Sequence, residues 1–266
     1  MTAPVADANS VDRRLGGADG LLVALDFDGT LAPIEDDPDA PEITPANRRA
    51  VERLVSRPDT LVAVVSGRQL ADLRPRVGIE GVRYVGNHGL EYTVDGERAV
   101  HPEAEARTDD LRAAREEITA RLADMEGVHV EDKAVTLTVH YRRARTASPG
   151  DVAAVVDDVV DPIEGLETGS GKMIVEVKPT VDWHKGAIVE RLRDEVPESW
   201  GTVYVGDDTT DEDAFEVLGA GDLGVVVGEH ATAADYRVPT QSAVSELLTR
   251  LAGVLDGETP DEVSTE

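Results

Sequence analysis

Short apolar runs alternate with amphipathic stretches along most of the chain. LLVAL at 21–25 and LVAVV at 61–65 are continuous rather than alternating, the pattern of parallel strands covered on both faces. Between them, TPANRRAVERLVSR predicts a helix, with Thr44 as N-cap and Pro45 at its first position. GVRYVG at 81–86 predicts a third strand, so the segment reads β-α-β-α-β and implies a doubly wound sheet with right-handed crossovers.

The pattern changes near residue 98. A long polar helix is expected over 102–125. Two strand-like runs in VHVEDKAVTLTVHYR, broken at Asp132 and Lys133, predict an antiparallel pair. An amphipathic helix over 150–163 and a strand at 172–179 follow. The α/β pattern then resumes, with helices over 184–196, 210–218 and 242–255 and strands at 202–206 and 223–228. The expected architecture is α/β: a doubly wound Rossmann-like core from residues 1–98 and 181–266, with an α+β domain inserted at 99–180. The stretch before Leu21 and the tail after Leu255 read as frayed ends, and the first twenty residues show no apolar signal segment.

Composition narrows the chemistry. The chain has no cysteine, which excludes disulfides, thiolate metal sites and cysteine nucleophiles. No apolar run reaches the roughly 18 residues of a membrane span. The formal net charge of −28, from 54 acidic and 26 basic residues, argues against nucleic acid and anionic membranes as partners. A merely acidic surface is one reading. A salt-rich cytoplasm is the reading favoured here, because the Debye length falls to about 3 Å at molar salt and self-repulsion is screened. Lysines are scarce, only Lys133, Lys172, Lys178 and Lys185, so each invites a specific role.

Asp26 and Asp28 stand at the end of the first strand, followed by Gly29-Thr30. Ligands of open α/β sheets gather at the carboxyl ends of strands, and two neighbouring carboxylates repel unless a cation or an electrophile lies between them. Helix capping would account for one Asp but poorly for two. Ser66 and Arg68, in VVSGR, bring a hydroxyl and a cation to the end of the second strand. Lys185 opens a helix, where the macrodipole disfavours it and a phosphate would favour it; His184 beside it reads as structural. Asp207, Asp208 and Asp211 cluster after the strand at 202–206, an oxygen-donor set suited to Mg²⁺.

Taken in order, DFDGTL, SGR, HKG and GDDTTDEDAF resemble the four motifs of haloacid dehalogenase (HAD) type phosphatases, and the insertion lies where members with a type-2 cap carry it. GNHGLE (86–91), VEDKAVTLTVHYR (130–142), GKMIVEVKP (171–179), GDDTTDEDAF and HATAADYRV together resemble the trehalose-6-phosphate phosphatase family, although His184 and Thr209 depart from its usual pattern. With no synthase domain in the sequence, a stand-alone phosphatase is expected.

The resemblance implies that Asp26 is the nucleophile, that Asp28 is the general acid and base, and that Ser66 and Lys185 balance charge on the phosphoryl group. It implies Mg²⁺ held by Asp26, the Asp28 carbonyl and Asp207, with Asp208 or Asp211 in support. For the sugar it implies the cap residues Glu131, Lys133, His140, Arg142, Lys172 and Glu176, with Arg68, His88 and Glu91 on the core side. The expected partner is a small phosphorylated disaccharide, and the expected protein is a cytoplasmic monomer. Competing readings are a sucrose- or mannosylglycerate-phosphate phosphatase, a phosphosugar mutase, and a non-catalytic Mg²⁺-binding module.

Overall fold

The computed structural model describes residues 3–35, 37, 40–144, 148–171 and 173–256. The chain divides into two compact units, one of residues 1–97 with 183–266 and the other of 98–182. The hydropathy pattern alone places the insertion at 99–180.

The first unit opens with helix α1 (Ala8–Leu15), where the sequence pattern suggests a frayed end. Asp7 caps it: its carboxylate accepts from Ser10 N at 2.7 Å, and the Ser10 hydroxyl accepts from Asp7 N at 2.9 Å. Val11 and Leu15 are buried on its inner face. Strand β1 (Leu21–Asp26) follows, then α2 (Pro45–Val55), capped by Thr44 as expected, β2 (Thr60–Val65), α3 (Leu70–Val77) and β3 (Arg83–Gly86). Two strands that the sequence pattern does not announce come next, β4 (Glu91–Val94) and β5 (Glu97–Val100). Asp95 and Gly96 join them at φ of 50° and 82°, the double left-handed conformation of a tight hairpin turn.

The second unit contains α4 (Pro102–Glu105), α5 (Thr108–Arg121), β6 (His129–Asp132), β7 (Leu137–His140), α6 (Pro149–Val160), β8 (Leu166–Gly171) and β9 (Ile174–Pro179). The single long helix expected over 102–125 is broken at Ala106 and Arg107, and β8 is an additional strand. The strands form an antiparallel sheet in the order β6-β7-β9-β8. Leu137, Val139, Val175 and Val177 point to one face and pack with Leu111, Ile118, Val152 and Val156 of α5 and α6. By the period of two, Thr138 and Glu176 occupy the opposite face.

The chain then returns to the first unit with α7 (Lys185–Arg193), β10 (Gly201–Gly206), α8 (Glu212–Glu216), β11 (Leu223–Val227), β12 (Tyr236–Val238) and α9 (Val244–Asp256). Its eight-stranded sheet has the order β12-β11-β10-β1-β2-β3-β4-β5. From β1 the chain winds outward through β2 and β3; from β10 it winds the other way through β11 and β12. The switch point therefore lies between β1 and β10, where ligands bind in such sheets. Leu21, Val23 and Leu25 face a core with α1, α2, α3 and α9, whereas Leu22 and Ala24 face α7 and α8. The same alternation sends Asp26 toward the α7 side. No helix among the described residues is long and apolar enough to cross a membrane.

Candidate active site

Strand register assembles the site. Leu25 is opposite Val205 and Asp26 is opposite Val65, so Asp26, Ser66 and Gly206 meet at one rim of the sheet. Lys185 at the first turn of α7 completes the cluster. Its Nζ donates to Asp26 Oδ1 at 2.7 Å and to Asp211 Oδ1 at 2.6 Å, and the lysine is only 3% exposed. The helix start is fixed by His184, whose Nδ1 accepts from Gly186 N at 3.2 Å, so the histidine is the N-cap of α7.

Asp207 closes the cluster. Ligand atoms of Asp26, Asp207 and Asp211 all lie within 4.8 Å of one another. Two glycines allow this crowding: a Cβ on Gly29 (φ 86°) would overlap the Asp207 carboxylate, and one on Gly206 would overlap that of Asp211. Thr30 Oγ1 donates to Asp207 Oδ1 at 3.4 Å, and His230 Nε2 reaches the Asp207 carbonyl at 3.0 Å.

The acids divide by role in a way the sequence does not announce. Asp211 is fully buried and its carboxylate is saturated. Oδ1 accepts from Lys185 and from the Tyr204 hydroxyl at 2.7 Å, and Oδ2 accepts from the backbone N–H of Asp207 at 3.0 Å and of Asp208 at 2.9 Å. It anchors the loop after β10 and orients Lys185, and it belongs to the acidic cluster whose ligand atoms could hold a metal ion. Asp208 Oδ1 accepts from Thr209 N at 2.6 Å, capping the turn that follows. Tyr204, absent from the sequence-based site, belongs to it through this hydroxyl; in sequence it reads as one more apolar strand residue.

Electrostatics follow the packing. Burial pushes the Asp26 carboxyl well above the usual carboxylate range; Lys185 opposes that rise, and Asp211 and Asp207 add to it. Burial, then Asp211 and Asp208, push Asp207 up to about 6. Burial opposes the charge on Lys185, but Asp26 and Asp211 outweigh it and hold the ammonium above the usual lysine range. Burial and the same carboxylates also push the Tyr204 phenol well up, so it remains a donor.

Asp28 sits just beyond the buried cluster, with its side chain 37% exposed. Both carboxylate oxygens accept from Arg68: Nε to Oδ2 and Nη2 to Oδ1, each at 2.7 Å. Ser66 is buried and its Oγ accepts from Arg68 N at 3.1 Å. His88 adopts a left-handed conformation (φ 54°) and packs its ring against Gly67. Glu91 is 2% exposed and accepts from Leu70 N at 3.0 Å and Asn87 Nδ2 at 2.7 Å. Its carboxylate thus caps α3 and holds the 87–89 turn.

In the second unit, Glu131 is opposite Thr138 and Thr138 is opposite Glu176, so the three form a row across β6, β7 and β9. His140 Nε2 meets Glu131 Oε2 at 2.7 Å. Lys133 is half-buried in the turn between β6 and β7, and Arg142 lies exposed in the turn after β7. Lys172 falls outside the described residues.

A family model described as trehalose-phosphatase matches residues 24–244. Trehalose-phosphate phosphatases of Mycobacterium bovis and Mycobacterium tuberculosis are 39% identical over 255 residues, covering 90% of this chain. The chain spans 64% of the length of these relatives. The C-terminal domain of the trehalose-6-phosphate phosphatase of C. albicans superposes with a TM-score of 0.75 at 26% identity, covering 94% of this chain and 98% of that one. A haloacid dehalogenase-like hydrolase from Bacteroides thetaiotaomicron shares the fold, with a TM-score of 0.63 at 16% identity, covering 87% and 99%.

Proposed function

The chain belongs to the trehalose-phosphatase family, and on that premise we propose that it hydrolyses trehalose 6-phosphate to trehalose and phosphate. The observation that carries this reading is the buried cluster at the switch point, where Asp26 shares Lys185 with Asp211 and faces Asp207. A carboxylate held at a strand tip beside a fixed ammonium is placed to attack a phosphate ester. Asp26 forms a bond to phosphorus while the phosphorus–oxygen bond to the sugar breaks. Its electron pair goes to the sugar oxygen, which takes a proton from Asp28. Water then attacks the aspartyl-phosphate, returning its proton to Asp28 and releasing phosphate. Ser66 and Lys185 balance charge on the transferring group.

The acidic cluster fits a hard divalent cation such as Mg²⁺. Its donors are all oxygen, and its three carboxylates outnumber the one ammonium of Lys185. Asp26, Asp207 and the Asp28 carbonyl would hold the ion. When bound it would shield the nucleophile's charge from that of the phosphate. Residues of the 98–182 unit supply the sugar contacts in this reading: Glu131, Lys133, His140, Arg142 and Glu176, with Thr138 in the same row as Glu131 and Glu176.

The test is phosphate release with Mg²⁺ from trehalose 6-phosphate, sucrose 6-phosphate and glucose 6-phosphate. Trehalose 6-phosphate should be hydrolysed with the highest kcat/KM, and Asp26→Asn should abolish turnover without unfolding the protein. A higher kcat/KM on sucrose 6-phosphate would overturn the substrate, and turnover retained in D26N would overturn the nucleophile.

A further inference from the structure

Arg68 has the wrong surroundings for a residue that grips substrate. Its side chain is 16% exposed, and all three guanidinium nitrogens donate within the protein. Nε and Nη2 form a two-pronged bond to both oxygens of Asp28, and Nη1 donates to Asp72 Oδ2 at 2.9 Å. Asp72 is held in turn by Arg76, Nε to Oδ1 at 2.8 Å, and Arg76 Nη1 donates to the Pro41 carbonyl at 3.0 Å. The Arg68 guanidinium also lies 5.7 Å from the centre of the Phe27 ring. The arginine is therefore fixed from behind, and the fork it presents is turned on the carboxylate of Asp28.

Asp28 needs such a fixture. It follows the last strand residue by two positions and precedes Gly29 at φ 86°, and its side chain is the most open of the proposed catalytic groups. A planar guanidinium meeting both oxygens fixes position and orientation together, which a lysine cannot do. Arg68 also ties this acid to the next strand end, because its own N–H donates to Ser66 Oγ.

We infer that Arg68 is a positioning residue that acts on the reaction through Asp28 and not by contact with the substrate. This role rests on the phosphatase reading given above and replaces the substrate contact that the sequence suggested for Arg68. It also accounts for the spacing of the Ser-Gly-Arg segment: the residue two after Ser66 is the one whose side chain reaches across from β2 to the end of β1.

A double-mutant cycle on Arg68→Gln and Asp28→Asn tests it, run in single-turnover and steady-state modes with trehalose 6-phosphate and with p-nitrophenyl phosphate. R68Q alone should lower kcat on trehalose 6-phosphate by about 10- to 100-fold, part of the roughly 10²–10⁴ that positioned acid–base groups contribute. KM should change less than about threefold. In D28N, adding R68Q should cost less than about twofold more, because the group it positions is already gone. Arg68→Lys keeps the charge but loses the fork, and should lose at least about fivefold in kcat with a melting temperature like that of the wild type. A tenfold rise in KM with kcat kept, or an undiminished loss in the D28N background, would overturn the inference. Wild-type turnover of p-nitrophenyl phosphate without turnover of trehalose 6-phosphate would sink the proposed substrate, while the cycle on the smaller ester would still decide Arg68. No turnover of either ester would sink both.

Discussion

At the scale of single residues, charge is unevenly served. Lys185 answers Asp26 and Asp211, while Asp207 receives the Thr30 hydroxyl at 3.4 Å. Its carboxyl is pushed up to about 6, so the folded chain binds that proton more tightly than the unfolded chain does. Protonation therefore stabilises the fold. In the presence of a chelator, stability should rise as pH falls from about 7.5 to about 5.5, as far as Asp207 governs it. Asp207→Asn should flatten that part of the profile and raise the metal-free melting temperature at neutral pH. Mg²⁺ should raise the melting temperature of the wild type at pH 7.5 and fail to do so for D207N. Thermal melts across pH, with and without Mg²⁺, check all three; a metal-free melting temperature that falls steadily through this window would contradict the account. That Asp26, Lys185 and Asp207 come together was legible in sequence because strand-end acids and a helix-opening lysine defy local propensity. The divisions of labour were not: that Asp211 is saturated, that Glu91 is turned inward and that Arg68 holds Asp28 are settled by partners between 3 and 40 positions away.

At the scale of elements, the strands of the parallel core were legible because a short, unbroken apolar run bounded by Gly and Asp is too brief for a buried helix and too apolar for a loop. The elements missed were those whose signal is short. The β4–β5 hairpin turns at Asp95-Gly96, but its strands are only four residues each and the outer one is not buried, so no apolar run marks them. The run LETGSG of β8 carries two glycines and one buried apolar residue, so only its pairing along the whole of β9 defines it. Helix α1 looked like a polar end because its inner face is narrow, yet Val11 and Leu15 pack against the core of the first unit, and Arg250 of α9 pairs with Asp12. Leu15→Ala should therefore cost about 3 kcal/mol in urea unfolding, whereas a frayed segment would show almost no change. The row on β6, β7 and β9, together with the turn after β6, carries a prediction about selectivity. Glu131→Ala and Lys133→Ala should lower kcat/KM on trehalose 6-phosphate by tenfold or more, roughly the worth of one or two lost hydrogen bonds to a polar ligand. The same variants should leave p-nitrophenyl phosphate within about threefold, and equal losses on both esters would remove these residues from sugar recognition.

At the scale of the whole molecule, 54 acidic residues against 26 basic ones leave a surplus that no ion pair within the chain can absorb. Repulsion among surplus charges weakens as salt shortens its range. The melting temperature should consequently climb with KCl up to molar concentrations, and a fold equally stable in dilute buffer would show that the acidity is no adaptation to salt. The sheet of the first unit has a further consequence for biosynthesis. All six residues of β1 are buried, and its partner on one side is β2, made soon afterwards, but its partner on the other is β10, encoded some 180 positions downstream. At about 5–20 residues per second, ribosomes leave that bare, sticky flank waiting roughly 10–35 s before its mate emerges. The nascent chain thus spends its infancy as half a sheet, with Asp26 already made and Lys185 not yet translated.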